Sequence, residues 1–116
     1  MKTHKRPWGN YTVLFTGKDH QVKRVQIDPG LRLSLQTHAK RAETWIVVSG
    51  SGTATLGKKK IKIGRGSVIE VKIGQPHRMH NTGKKPLVFF EVQFGDYLGE
   101  DDIVRIEDDF NRAGTR

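Results

Sequence analysis

A short polar stretch, LSLQTHAKRAETW at residues 33–45, carries three side chains of the types that bind metal ions. Gln36, His38 and Glu43 offer an amide oxygen, an imidazole and a carboxylate. Gln36 and His38 are two residues apart, so on a strand they would point to the same face. Glu43 has the wrong parity for one continuous strand. We therefore expect a bend at residues 40–42, with Glu43 opening the next strand.

A fourth ligand is expected from a later segment, residues 66–81. His77 there follows a Gly-Gln-Pro turn, a position from which an imidazole can point into the mouth of a barrel. Two imidazoles with an amide and a carboxylate oxygen suit zinc, manganese, iron, cobalt or nickel. This set of ligand atoms does not distinguish among these metals. A lone Gln or His is more often an ordinary polar residue, but the spaced set of four predicts a divalent metal site.

The elements that must position these ligands are short and β-rich, with Gly or Pro between them. Residues 21–27 and 86–94 are typical strands, and residues 57–60 (GKKK) predict a hairpin tip with a lysine-rich edge. We count about eight to ten strands, which predicts an all-β jelly-roll barrel or sandwich. Only residues 99–111 are predicted to be partly helical, as a short C-terminal segment.

Composition limits the class of protein. The chain has 116 residues, which suits a single domain over residues 1–116. No apolar run approaches the roughly 20 residues of a membrane span, and the N-terminus lacks the apolar region of a secretion signal. The absence of cysteine excludes disulfides and thiolate-bound zinc, so a cytoplasmic protein with no membrane contact is expected.

The net charge of +9 is unevenly distributed. Residues 1–99 hold 18 Lys and Arg against 6 Asp and Glu, whereas residues 100–116 hold 3 against 6. The basic excess could serve solubility or attract an anionic ligand. A nucleic-acid partner is not expected, because the basic residues lack the interleaved aromatic residues of single-strand binders.

Two motifs give the chain a resemblance to the cupins. The first cupin motif, G-x5-H-x-H-x(3,4)-E-x6-G, is matched by Gly30, Gln36, His38, Glu43 and Gly50. The second, G-x5-P-x-G-x2-H-x3-N, is matched by Gly66, Lys72, Gly74, His77 and Asn81. Only Gln36 and Lys72 depart from these patterns. The resemblance implies a cupin fold, that is, a double-stranded β-helix.

A closer resemblance, over nearly the whole chain, is to the C-terminal domain of type II phosphomannose isomerases. Blocks such as RPWGNY (6–11) and EVQFGDYLGEDDIVR (91–105) carry it. Those domains are usually fused to a mannose-1-phosphate guanylyltransferase. The resemblance implies conversion of mannose 6-phosphate to fructose 6-phosphate, a sugar phosphate as small-molecule ligand, and a homodimer. It also implies that Gln36, His38, Glu43 and His77 hold the metal.

Further residues have expected roles, and those of Arg41 and Arg105 are based on the same resemblance. Arg41 is expected to contact the substrate or an enediolate, and Lys40 to supply charge or, if desolvated, to act as a base. Arg105 could bind phosphate or form a salt bridge to nearby acids. His80 could support the substrate site or lie on the surface.

Two departures from that family leave alternatives open. Lys40 and Thr44 stand where the family commonly has histidine, and the motifs begin so near Met1 that the domain is expected to stand alone. A non-catalytic cupin that binds a sugar phosphate is therefore a second hypothesis. Another metal-cupin enzyme, such as a dioxygenase or a sugar-nucleotide isomerase, is a third.

Overall fold

The computed structural model describes residues 1–110, which form eleven β-strands in two antiparallel sheets. The strands are β1 (Thr3–Arg6), β2 (Gly9–Thr16), β3 (His20–Ile27), β4 (Leu35–Thr37), β5 (Ala42–Ser49), β6 (Ser51–Leu56), β7 (Lys59–Gly64), β8 (Val68–Val71), β9 (His77–His80), β10 (Leu87–Phe94) and β11 (Val104–Glu107). Sheet A has the order β1-β2-β3-β10-β5-β8 and sheet B the order β11-β4-β9-β6-β7. The all-β prediction is confirmed.

Alternation along the long strands of sheet A decides what faces the interior. On β3, Val25 and Ile27 are buried, as their shared parity predicts. Lys23 has the same parity and is also buried. β10 shows the same pattern: Glu91 and Gln93 have the same parity as the buried Phe89 and are also buried. Polar side chains thus occupy inward positions at one end of the barrel, while apolar ones fill the other.

The hydrophobic core lies between the two sheets. Its buried members are Trp8, Tyr11, Val25, Ile27, Leu33, Trp45, Val47, Ala54, Ile63, Ile69, Val71, Met79, Leu87 and Phe89. Trp45 and Phe89 are at most 1% exposed, and their ring centroids are 5.5 Å apart. Each buried aromatic side chain contributes a large apolar area, so these two rings anchor sheet A to the core.

Gly50 is the point at which the chain passes from sheet A to sheet B. It has a φ of +86°, and a Cβ built there would lie 2.6 Å from the carbonyl oxygen of Pro86. Only glycine accepts both the left-handed backbone and the close approach. The structure therefore explains why the first motif ends in a glycine.

The lysine-rich hairpin is found where it was predicted. β6 and β7 pair from Ser51↔Gly64 to Leu56↔Lys59, and β7 is the outer strand of sheet B. Lys58, Lys59 and Lys60 are exposed there. Charges on an outer strand discourage pairing with a second molecule.

The predicted helical character of residues 99–111 is wrong for the part that the structure describes. Residues 104–107 form β11, which pairs with β4. The acidic run that suggested a helix start instead forms a loop at residues 99–103. These residues form a strand because β4 offers backbone groups with which they can pair. A prediction from a short stretch of sequence does not include such a distant partner. Within residues 1–110, no helix is long and apolar enough to cross a membrane.

Asn81, at the end of the second motif, joins two loops inside the barrel. Its side-chain nitrogen donates to the carbonyl oxygens of Ile27, at 2.9 Å, and Lys85, at 2.8 Å. Its side-chain oxygen accepts a hydrogen bond from the Gly83 N–H, at 2.9 Å. Asn81 and Ile27 are both fully buried, so the hydrogen bond between them has no access to water.

Replacing Asn81 should therefore destabilise the fold strongly. We expect Asn81→Ala to lower the free energy of unfolding by about 3 kcal/mol, because it removes a partner from the buried Ile27 carbonyl and from two partly buried backbone groups. Urea unfolding followed by circular dichroism measures this. The neighbouring exposed Thr82 provides the control Thr82→Ala, which should change stability by less than about 0.5 kcal/mol. Equal losses in the two variants would refute the assigned role of Asn81.

Candidate metal centre

Three of the predicted ligands meet inside the barrel. His38 directly follows β4, Glu43 is on β5 and His77 opens β9. All three are at most 3% exposed. A bend precedes Glu43, as expected, but it lies within residues 38–41 and Ala42 opens β5 in place of Glu43. The two sheets thus contribute ligands from opposite sides.

The distances suit a single ion. One potential ligand atom from each of His38, Glu43 and His77 lies within 4.8 Å of the others. His38 Nε2 is 3.2 Å from Glu43 Oε2, and His77 Nε2 is 3.9 Å from Glu43 Oε1. Metal–nitrogen and metal–oxygen bonds of about 2.0–2.2 Å would fit between atoms at these separations.

Backbone carbonyls orient both imidazoles. His38 Nδ1 is 2.5 Å from the carbonyl oxygen of Asp102, and His77 Nδ1 is 2.9 Å from that of Gln75. A carbonyl can only accept, so each Nδ1 carries the proton and donates. In the neutral ring this leaves the Nε2 lone pair facing Glu43. Metal-binding histidines are commonly fixed in this way.

The Glu43 carboxylate is held by two neighbours. Trp45 Nε1 donates to Oε1 at 3.0 Å, and Arg41 Nε donates to Oε2 at 2.8 Å. Arg41 also places an Nη2 nitrogen 3.3 Å from His38 Nε2. The arginine thus contacts two of the three potential ligands.

Burial controls protonation at the site. Burial first, and then the neighbouring Arg41 and His77, lower the pKa of His38 to about 4. His38 is therefore neutral at pH 7 and keeps its lone pair. Burial also raises the pKa of Glu91, and the Glu43 carboxylate adds to that shift.

Gln36, the fourth predicted ligand, lies close by on β4. It is paired with His77 on β9. Its side-chain nitrogen donates to the Ser34 hydroxyl at 3.0 Å, so the amide oxygen is the atom left to bind a metal. Its role as a ligand stays a prediction.

A buried oxygen beside Glu43 also favours a bound group. Gln93 is paired with Glu43 across β10 and β5, and both residues are inward-facing. Among the residues that the structure describes, Gln93 Oε1 is buried without a hydrogen-bond partner. Buried acceptors are normally satisfied, so an open one here fits a site that takes up another ligand. The residues present therefore fit a divalent ion.

A cavity of about 140 Å³ adjoins the metal centre. Gln36 and Arg41 form part of its wall, together with the aromatic residues Trp8 and Tyr11. Its charged lining residues are Arg6, Lys23, Arg41, Arg105, Glu91 and Glu100. Cations outnumber acids, so the cavity suits an anionic ligand. We refer to this space as the cationic cavity.

The other predicted site residues are divided between the cavity and the surface. Arg105 lines the cationic cavity and is paired with Gln36. Lys40 is exposed, with its ammonium 4.8 Å from the Tyr97 ring centroid. The desolvation that a lysine base requires is therefore absent. His80 lies on a different surface groove, beside Arg78 and Glu107.

Several residues of the site escaped the sequence analysis. Lys23 and Glu91 could have been found, because strand alternation places them inward with Val25 and Phe89. Glu100 and Asp102 could not, since both looked like part of a charged surface. Asp102 instead accepts hydrogen bonds from the backbone N–H groups of Ala39 and Lys40, both at 2.9 Å.

Comparisons with known proteins agree on the domain type. The model of the family described as mannose-6-phosphate isomerase C-terminal matches residues 1–108. The xanthan biosynthesis protein XanB of Xanthomonas campestris is 49% identical over 108 residues, which are 93% of this chain and 23% of XanB. The mannose-1-phosphate guanylyltransferase ManC of Salmonella typhimurium is 43% identical over 93% of this chain and 22% of ManC.

A solved structure supports the fold. A protein from Klebsiella pneumoniae with a double-stranded β-helix domain superposes with a TM-score of 0.73 at 24% identity. The match covers 84% of this chain and 83% of that one. The expected cupin fold is therefore confirmed.

These comparisons correct the expected function. The prediction of a mannose 6-phosphate to fructose 6-phosphate isomerase is wrong. The relatives that match are named for guanylyl transfer and for polysaccharide biosynthesis, and the chain spans only 22–23% of them. The family description names a domain and does not assign isomerase activity to this chain. The exposed position of Lys40 also removes the proposed base.

The similarity therefore concerns a domain that enzymes such as ManC carry. With a family model that matches residues 1–108, the chain belongs to the mannose-6-phosphate isomerase C-terminal family, and its fold is that of a cupin.

Proposed function

We propose that this chain is a metal-binding cupin domain that binds a phosphorylated sugar. We further propose that it acts with a mannose-1-phosphate guanylyltransferase in supplying an activated sugar. One observation carries the proposal: a buried His–Glu–His cluster adjoins a cavity with a cationic lining. The first feature suits a divalent ion and the second an anionic ligand.

His38, Glu43 and His77 would hold the ion, with Gln36 as a further ligand. A bound divalent ion would supply a fixed positive charge that polarises a ligand oxygen. Arg41 is suited to link the ion to the ligand, because it contacts Glu43 while lining the cationic cavity. The zinc, manganese, iron, cobalt and nickel ions all remain candidates.

The cavity offers what a sugar phosphate needs. Arginine and lysine side chains bind phosphate oxygens with charge-assisted hydrogen bonds, and arginine can do so through two N–H groups at once. Trp8 provides apolar surface against which the carbon face of a sugar ring could pack. A sugar phosphate would thus meet complementary groups at both of its ends.

The names of the relatives indicate which sugar phosphates to test. ManC is named for mannose 1-phosphate, and XanB for xanthan biosynthesis. Mannose phosphates are therefore the ligands that we would test first. The homodimer and the cytoplasmic location expected from the sequence stay predictions.

The metal part of this proposal predicts a specific loss of binding. Elemental analysis of cobalt-loaded protein after gel filtration should find about one ion per chain, as one His–Glu–His cluster implies. Glu43→Gln should weaken cobalt binding more than about 100-fold in a calorimetric titration, because it replaces a charged ligand by a neutral one. His20→Ala is the matched control, since His20 is accessible to solvent and lies outside the cluster. A similar loss in both variants, or full binding by Glu43→Gln, would contradict the assigned ligands.

The ligand part predicts selectivity for the phosphorylated sugar. Mannose 1-phosphate or mannose 6-phosphate should bind the cobalt-loaded protein at least about tenfold more tightly than mannose does, because only they reach the cationic side chains. Calorimetry with the three sugars measures the difference. Equal affinities, or no binding by either phosphate, would rule out a sugar phosphate as the ligand.

A further inference from the structure

The Glu100 side chain is part of the lining of the cationic cavity and is partly exposed to solvent. Its Oε2 accepts a hydrogen bond from Lys23 Nζ at 2.7 Å and is 3.8 Å from Arg41 Nη1. The two cationic side chains are only 5% and 7% exposed, whereas Glu100 is 54% exposed. An accessible carboxylate therefore pairs with the buried Lys23 and lies near the buried Arg41, whose closer carboxylate partner is Glu43 at 2.8 Å.

A third cation belongs to the same cluster. Arg6 Nη2 donates to the Tyr11 hydroxyl at 3.1 Å, and Lys23 Nζ lies 4.6 Å from the centroid of the same ring. Burial raises the pKa of Glu100, but the charges of Lys23, Arg41 and Arg6 outweigh it, and the net pKa is lowered. Glu100 is thus ionised, contacts Lys23 and Arg41, and lies within the electrostatic influence of Arg6.

The backbone next to Glu100 is held independently of that carboxylate. Asp102 accepts from the N–H groups of Ala39 and Lys40, and its carbonyl accepts from His38. Rotation of the Glu100 side chain into solvent therefore breaks none of these hydrogen bonds. Its departure would expose Lys23 and Arg41 without unfolding the loop.

We propose that Glu100 occupies the phosphoryl subsite of the cationic cavity and gates it. The proposal rests on the function proposed above and deepens it. An incoming phosphoryl group takes the place of the carboxylate on Lys23, Arg41 and Arg6, and Glu100 turns out to solvent.

This arrangement selects for anions by electrostatics. Removing Glu100 from Lys23 leaves a buried ammonium without its partner, which is costly unless another anion replaces it. A neutral sugar cannot provide that charge, whereas a phosphoryl group can. The gate therefore opens for phosphorylated ligands and stays closed for neutral ones.

Binding of inorganic phosphate to chelator-treated, metal-free protein tests the gate. Calorimetric titration should show that Glu100→Gln binds phosphate about tenfold more tightly than the unmodified chain, because the competing charge is gone. Glu70→Gln is the matched control. It removes the same charge from an exposed position on β8, and it should leave the affinity unchanged. Equal affinities in Glu100→Gln and the unmodified chain would overturn the gate.

Two further variants test the cations themselves. Arg6→Gln, at an exposed position, and Lys23→Met should each weaken phosphate binding to the Glu100→Gln background by at least about fivefold. Circular dichroism checks that each variant is folded. If Lys23→Met is not folded, the phosphate affinity of Arg6→Gln alone tests the subsite. Unchanged affinity in the folded variants would place phosphate elsewhere and refute the subsite. Because no metal or sugar is present, failure of this test is distinct from failure of the metal centre.

Discussion

The buried carboxylate of Glu43 organises the interior at the end of the barrel where polar side chains point inward. It accepts from Trp45 and Arg41 and faces the Nε2 atoms of two histidines. A buried charge is stable only when its partners compensate for lost hydration, so these neighbours must be brought together. Both sheets contribute to that arrangement, since His38 and His77 come from sheet B and Glu43 from sheet A.

Arg41 connects the two chemical features of the barrel. Its guanidinium contacts Glu43 and His38 on one side and approaches Glu100 on the other. A metal and Arg41 would use the same lone pairs of Glu43 and His38, while an anion in the cavity would draw Arg41 toward itself. Metal and anion are therefore expected to favour each other's binding. Glu100 would stay beside Arg41 on the cavity side until an anionic ligand replaces it.

Much of this arrangement could be predicted from the sequence because it depends on local spacing. The parity of Gln36 and His38, the bend before Glu43 and the turn before His77 each follow from strand geometry. Gly50 and Asn81 were also recognisable as motif residues, although only the structure shows the backbone groups that they serve. The resemblance then supplied the fold, which local patterns alone left open between a barrel and a sandwich.

What could not be predicted depends on contacts between distant segments. The acidic run after Gly99 suggested a helix start, yet its Glu100 lies on Lys23, 77 positions away in sequence, and its Asp102 supports His38. Lys40 looked like a possible base, but nothing in its sequence neighbourhood revealed that it is exposed. The function was also misjudged, because the metal ligands of a cupin do not specify the reaction.

The most direct test of the central claim is the crystal structure of cobalt-loaded protein, with the ion located by anomalous scattering. We expect one strong peak within the barrel, about 2.0–2.2 Å from His38 Nε2, His77 Nε2 and a Glu43 oxygen. The same map would decide whether the Gln36 amide oxygen is a ligand. Cobalt bound only to accessible histidines such as His20, with Arg41 still on Glu43, would contradict the account.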